Sequence, residues 1–156
     1  MKKAQVLLSL GSNIGERQRQ ILHATARIAS VEGLELQALS DLVETEPVGP
    51  RQPPYINAAA LVSCQLPPRQ LLAICQQLEL EAGRKRDVRW RPERLDIDIV
   101  LFGQRRIYSV SLVVPHPRFR QRAFVLDVAA QVAAEFRDPV TGKTVRELCE
   151  DLRKWK

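Results

Sequence analysis

The chain reads as an α+β domain with a mainly antiparallel sheet covered by helices. Three observations predict it. Apolar segments alternate between strand and helix periods in the order strand, helix, strand, strand, helix, strand. That order is the β-α-β-β-α-β arrangement of a ferredoxin-like core. The 156 residues suit a single domain with a substantial core, and no repeat, linker or low-complexity tract divides them.

Val6–Leu10 is a short apolar strand, and residues 11–15 (GSNIG) read as a turn whose glycines and asparagine tolerate positive φ. No Gly-Lys-Ser/Thr ending follows, so this is not a phosphate-cradling P-loop. A helix follows from about Glu16 to Ser30, with Ile21, Leu22, Ala24, Thr25, Ile28 and Ala29 as its apolar face. His23 lies on it with no metal-spaced partner. After Gly33, Leu34–Glu44 is extended. Four prolines between Glu46 and Pro54 forbid a helix. Tyr55–Cys64 is a second apolar strand, able to pair with 34–44 as a hairpin. Pro67 and Pro68 open a helix to about Glu81, with Leu71, Leu72, Ile74, Cys75 and Leu78 inward and Gly83 as its stop.

The next stretch organises the rest. Leu95–Gly103 (LDIDIVLFG) reads as a strand. By the period of two, Leu95, Ile97, Ile99 and Leu101 share one face, and Asp96, Asp98, Val100 and Phe102 the other. Asp is disfavoured in strands, and two like charges on one face, about 6–7 Å apart, need a cation between them. Hard divalent ions such as Mg²⁺, held by one or two carboxylates plus substrate phosphates, meet that need. Just upstream, Arg84, Arg86, Arg89, Arg91 and Arg94 make a cationic loop suited to a polyphosphate.

Downstream, a turn at residues 103–106 leads to a short strand near Ile107–Val110, and 113–118 (VVPHPR) to a helix from about Arg120 to Glu135. Asp138–Lys143 is a turn. Thr144 caps a last helix ending near Lys154, with Glu147 completing a capping box.

Composition narrows the partners. Net charge is +6, from 24 Lys and Arg against 18 Asp and Glu, which favours an anionic partner. Two Trp, two Tyr and four Phe do not cluster, against an RNA-stacking surface. An RNA module would also leave the diacid strand unexplained. Cys64, Cys75 and Cys149 are odd in number and far apart, as in a cytosolic protein with reduced thiols. The apolar start stops at Leu10 with no cleavage site after it, so it reads as a strand rather than a signal peptide. No segment approaches the length of a membrane span. The expected setting is cytoplasmic, with no nucleic-acid or membrane partner, and the length is compatible with a monomer.

Four segments together resemble the hydroxymethyl-dihydropterin pyrophosphokinases of folate biosynthesis. They are the LGSN turn at 10–13, residues 45–49 (TEPVG) with 55–57 (YIN), Glu79–Phe102, and 114–117 (VPHP) with 122–124 (RAF). The likeness covers most of the chain. It implies transfer of the terminal diphosphate of ATP to the hydroxymethyl group of 6-hydroxymethyl-7,8-dihydropterin, with AMP leaving. It implies that Asp96 and Asp98 hold two Mg²⁺ ions. Thr45, Pro47 and Val48 would line the pterin pocket, Asn57 would hydrogen-bond the pterin edge, and Tyr55 and Phe124 would hold its ring. Glu79, Arg84, Arg86, Arg89 and Trp90 would line the nucleotide and a catalytic loop, and Gln76, His116 and Arg122 would touch nucleotide or phosphate.

The pattern departs from the family after Trp90, where the family has Gly-Pro-Arg and this chain has Arg91, Pro92 and Glu93. Arg94 precedes the strand by one residue on the face of Asp96 and Asp98, so it is expected to take the displaced arginine's role. Another two-metal phosphoryl or nucleotidyl transferase is the alternative within enzymes. Release of AMP dependent on a reduced pterin separates the two.

Overall fold

A computed structural model of the chain describes residues 2–13, 16–45, 54–84 and 95–154. Among them are strands β1 (Ala4–Ser12), β2 (Leu34–Leu39), β3 (Val43–Thr45), β4 (Tyr55–Cys64), β5 (Leu95–Phe102), β6 (Ile107–Tyr108) and β7 (Val113–Val114). The helices are α1 (Arg17–Ala29), α2 (Pro68–Arg84), α3 (Ala123–Ala133) and α4 (Val145–Lys154). The main sheet runs β2-β4-β1-β5, with β3 also beside β4, and each pairing is antiparallel. This is the expected ferredoxin-like order, with β2 and β3 sharing the place of one strand.

The sheet divides two cores. Val6, Leu8 and Leu10 of β1 point to α1 and α2, where Ile21, Ala24, Ile28, Leu71, Cys75 and Leu78 are buried. Leu7 points the other way, into a cluster with Val125, Leu126, Val128 and Ala129 of α3 and Val145, Leu148 and Cys149 of α4. Ten buried side chains of Leu, Ile, Val or Phe size are worth roughly 15–30 kcal/mol of transfer free energy before chain entropy is set against them. The three cysteines are buried and free, as expected of reduced core residues.

Several boundaries differ from the sequence expectation. Gly11 and Ser12 belong to β1 rather than to a turn, because both pair in register with β4 on one side and β5 on the other. On α1, Leu22 and Ala29 are exposed, so the inward face is Ile21, Ala24, Thr25 and Ile28. Helix α2 runs through Gly83 to Arg84. A Cβ at Gly83 would meet nothing within 4 Å, so this is a solvent-side glycine that costs the helix about 1 kcal/mol without ending it. Residues 34–44 divide into two strands at Ser40, whose amide bonds the Ala59 carbonyl at 2.9 Å. The helix expected from Arg120 begins later. A 3-10 turn at Phe119–Gln121 comes first, and Arg122 is extended at φ −110°, ψ 101°. The final helix behaves as predicted. Thr144 Oγ1 accepts the Glu147 amide at 3.1 Å, and Glu147 Oε1 accepts the Thr144 amide at 2.9 Å.

The strand that matters most carries a bulge. Leu8 pairs with Ile99 while Leu7 pairs with Leu101, so Val100 is the extra residue. A bulge reverses the alternation beyond it. Leu101 therefore joins Val100 in the α3/α4 core, and Phe102 joins Leu95, Ile97 and Ile99 on the α1/α2 side. The expected faces hold for 95–100 and are exchanged for Leu101 and Phe102.

Candidate active site

Strand register assembles a polar row on the α3/α4 face. Residues directly opposite on neighbouring strands point the same way. Asp98 lies opposite Ser9, which lies opposite Ala59; Asp96 lies opposite Gly11, which lies opposite Asn57. Asn57 pairs in turn with Val43, and Tyr55 with Thr45. These residues share the face of Leu7, Ala59 and Leu101 but lie toward the other end of the strands. Two strand spacings, about 10 Å, separate the Asn57 and Asp96 backbones, with Gly11 between them.

Gly11 lies beneath the side chains of Asn57 and Tyr55. Among the described glycines only Gly33, Gly103 and Gly142 have positive φ. A Cβ at Gly11 would lie 3.4 Å from Asn57 Oδ1, 3.4 Å from Tyr55 Cδ2 and 3.8 Å from Tyr55 Cε2. The tyrosine ring and the amide thus stand over a bare patch of backbone. Asn57 Nδ2 donates to Thr45 Oγ1 at 2.5 Å, which fixes the amide and leaves its oxygen facing Gly11.

At the other end of the row, Asp98 is half-exposed and its Oδ2 lies 3.9 Å from His116 Nε2. His116 Nδ1 accepts the Arg118 amide at 3.1 Å. That bond assigns the neutral ring's proton to Nε2, so the histidine presents an N–H toward Asp98. Burial lowers the His116 pKa from its ordinary value, Arg122 and Arg118 lower it further, and Asp98 opposes them. The His116 amide bonds the Val100 carbonyl at 3.0 Å, which ties this segment to the bulge. Arg122 precedes α3, and its guanidinium lies 5.8 Å from the Phe124 ring centroid, in cation–π range. Phe124 is 37% exposed.

The two α2 residues behave differently. Gln76 is exposed on a helix that packs against the opposite sheet face. Glu79 reaches the outer edge of β5, where Oε2 accepts the Ile97 amide at 2.7 Å, between the two aspartates in sequence. Its charge, after burial, helps push the Cys75 thiol up to about 12, which leaves that thiol inert. Pro47, Val48, Arg86, Arg89, Trp90, Arg91 and Arg94 lie outside the described residues, as does the Arg84 side chain.

Asp96 and Asp98 share one face of β5, beside the small residues Ser9 and Gly11 of β1. Carboxylates are the donor type that a hard divalent cation such as Mg²⁺ takes from a protein, with water and phosphate oxygens as its other ligands. Among the described residues no group of three His, Cys, Asp or Glu is gathered closely enough to hold a metal by itself.

The model of the 7,8-dihydro-6-hydroxymethylpterin-pyrophosphokinase (HPPK) family matches residues 7–134. The chain belongs to that family. The 2-amino-4-hydroxy-6-hydroxymethyldihydropteridine pyrophosphokinase of Bacillus subtilis is 37% identical over 150 residues, covering 96% of this chain and 89% of that protein. The protein of the same name in Pseudomonas aeruginosa is 40% identical over 145 residues, 92% of this chain and 89% of its own. Among solved structures, wild-type HPPK-DHPS of Plasmodium falciparum with pteroate superposes with a TM-score of 0.72 over 96% of this chain. At 15% identity, and with this chain spanning 42% of that one, the likeness carries the fold alone.

Of the residues expected at the site from the sequence, Asp96, Asp98, Thr45, Tyr55 and Asn57 share one sheet face, His116 lies beside Asp98, Arg122 beside Phe124, and Glu79 on the β5 backbone. Ser9, and the place of Gly11 between these strands, were not legible, because a Ser-Leu-Gly-Ser sequence shows nothing of strand partners.

Proposed function

We propose that the chain, as one domain over residues 1–156, transfers the diphosphate of ATP as a unit to the hydroxymethyl group of 6-hydroxymethyl-7,8-dihydropterin in folate biosynthesis. The pterin hydroxyl oxygen attacks the β-phosphorus, the bond from that phosphorus to the oxygen bridging to the α-phosphate breaks, and AMP leaves. The hydroxyl proton passes to solvent water. One observation carries this reading: the register that sets Gly11, Asn57 and Tyr55 on the same sheet face as the Asp96–Asp98 pair, with Gly11 one strand away from it.

Tyr55 and Phe124 hold the flat ring, Asn57 and Thr45 bind its edge, and the bare backbone at Gly11 lets it lie close. Pro47 and Val48 complete that pocket. Asp96 and Asp98 hold two Mg²⁺ ions, which when bound neutralise the charge on the phosphate oxygens. His116 offers its Nε2–H, and Arg122 its guanidinium, to phosphate oxygens. Gln76, Arg86, Arg89 and Trp90 serve the nucleotide, and Arg84 and Arg94 supply cationic stabilisation of the transferring group. Glu79 acts on the β5 backbone beside the nucleotide. In such an in-line displacement the protein chiefly positions and stabilises charge.

The test is direct. Purified protein, ATP, Mg²⁺ and the dihydropterin should yield AMP and the pterin diphosphate in equal amounts. AMP formed without pterin, or ADP as the nucleotide product, overturns the reading. For the arginines, Arg94→Ala should lower kcat by roughly 10–10³-fold, with a smaller effect from Arg91→Ala. The reverse order reassigns the role.

A further inference from the structure

Arg17 opens α1 and bonds both β3 and the residue just before β4. Its Nη1 donates to the Pro54 carbonyl at 2.6 Å, and its Nη2 donates to Glu44 Oε2 at 2.9 Å. Pro54 immediately precedes Tyr55, and Glu44 immediately precedes Thr45. One guanidinium therefore spans the last rung of the β3–β4 ladder, Thr45 opposite Tyr55. β3 is only three residues long, and a ladder that short has little hold of its own.

The clamp acts from behind the sheet. Glu44 pairs with Ile56, and the Ile56 side chain is buried in the α1/α2 core. Tyr55, Asn57 and Thr45 face the other way. A ligand lying over Gly11 is thus touched by the residues that Arg17 holds and not by Arg17. A second tie runs in parallel: the Ser12 hydroxyl donates to Gln20 on α1, fixing the helix to the end of β1 beside Gly11. A planar fork bonded to a carbonyl and a carboxylate fixes direction as well as distance, which a lysine does not.

We propose that Arg17 is a positioning residue for the pterin half of the site, holding Tyr55 and Thr45 in register over Gly11 from the far face of the sheet. This rests on the pterin reading above. The Arg17–Glu44 ion pair is itself largely solvated, with Glu44 56% exposed, so its Coulomb energy is small. The effect comes from geometry: loss of the fork lets the rung shift and misaligns the Asn57–Thr45 pair.

The experiment measures, by calorimetry, dissociation constants for the dihydropterin and separately for a non-hydrolysable ATP analogue. Wild type, Arg17→Ala, Arg17→Lys and Phe124→Ala are compared. Arg17→Ala should weaken pterin binding roughly 10-fold, the scale of one misplaced hydrogen bond to a ligand, and change nucleotide binding less than twofold. In steady state its KM for pterin should rise more than its kcat falls. Arg17→Lys, which keeps the charge and reaches one of the two acceptors, should recover less than half of the loss on a logarithmic scale. If Arg17→Ala does not fold, Arg17→Lys decides alone: pterin binding weakened several-fold with nucleotide binding unchanged supports the assignment. Unchanged pterin binding, or equal weakening of both ligands, overturns it. A wild type that binds no pterin fails the functional reading instead. Pterin binding that Phe124→Ala weakens and Arg17→Ala does not fails this inference alone.

Discussion

Asp138 and Asp98 are the same residue type in opposite circumstances. The Asp138 side chain is fully buried, yet every face of its carboxylate is met: Arg120 Nε at 2.6 Å and Nη2 at 3.0 Å, the Val140 amide at 3.0 Å and the Thr141 hydroxyl at 2.8 Å. Burial pushes its pKa up, but these donors outweigh it and hold the group below the usual carboxylate value. Asp98 is 46% exposed, with the edge of a neutral histidine at 3.9 Å. The first acid is completed by its own chain and closes the turn before α4. The second stands half-exposed on a strand, where Asp is unfavourable. Under the proposed function the buried, saturated carboxylate is structural and the exposed one binds a ligand.

The sharpest way to break this contrast is to exchange the outcomes. Asp138→Ala should cost about 3 kcal/mol or more in urea unfolding, because it leaves Arg120 without its partner, while activity at a folded temperature persists. Asp96→Ala and Asp98→Ala should each lower turnover 10²-fold or more, with unfolding midpoints close to wild type. Should Asp98→Ala destabilise as Asp138→Ala does, the distinction is lost. The pterin pocket gives the next effect. Phe124→Ala should weaken pterin binding by about 1–3 kcal/mol and spare an ATP analogue, since the ring is half in solvent and is not a core filler. Gly11→Ala should fold, with a β-methyl at ordinary contact distance from Tyr55 and Asn57, and weaken pterin binding by about 1–2 kcal/mol by crowding the face those side chains share.

The smallest effect is in pH dependence, and the two groups separate by window. A folded-state pKa below the ordinary value means stability that is present above that value and lost as pH falls through the folded one. For His116 the loss begins below its ordinary value of 6.5, and for Asp138 only below 3.8. The stability difference between wild type and His116→Asn should therefore change between about pH 7 and pH 5. That between wild type and Asp138→Asn should stay constant there and change below about pH 4. A change of the Asp138 difference near pH 6 would contradict the assignment.

The sequence made the diacid plain because a period of two is visible in four residues and two charges break it. The order of elements was equally plain, since α1, α2 and α4 carry long apolar stripes and a capping box. The bulge at Val100 was not, because residues 99–102 are apolar on every side and no pattern betrays a shift of one. Gly11 and Ser12 looked like a turn because glycine, serine and asparagine favour turns, and only the strands on either side draw them into the sheet. The break at Arg122 was hidden by an uninterrupted helix-compatible stretch from Phe119 onward. The bonds of Glu79 to the Ile97 amide and of Arg17 to the Pro54 carbonyl were unreadable, since each partner is a backbone group distant in sequence, and backbone groups leave no trace in composition.

One feature of β5 bears on how this molecule coexists with others like it. The strand ends the sheet order, and an edge strand offers its spare amides and carbonyls to any passing extended chain. Here the Ile97 amide is already taken by Glu79 and the Val100 carbonyl by the His116 amide. The edge that carries the acidic pair is plugged by a side chain at one point and by a loop at another. A peptide cannot extend the sheet on that side without evicting both. The contacts of Glu79 and His116 thus also shield this strand edge against pairing with another chain.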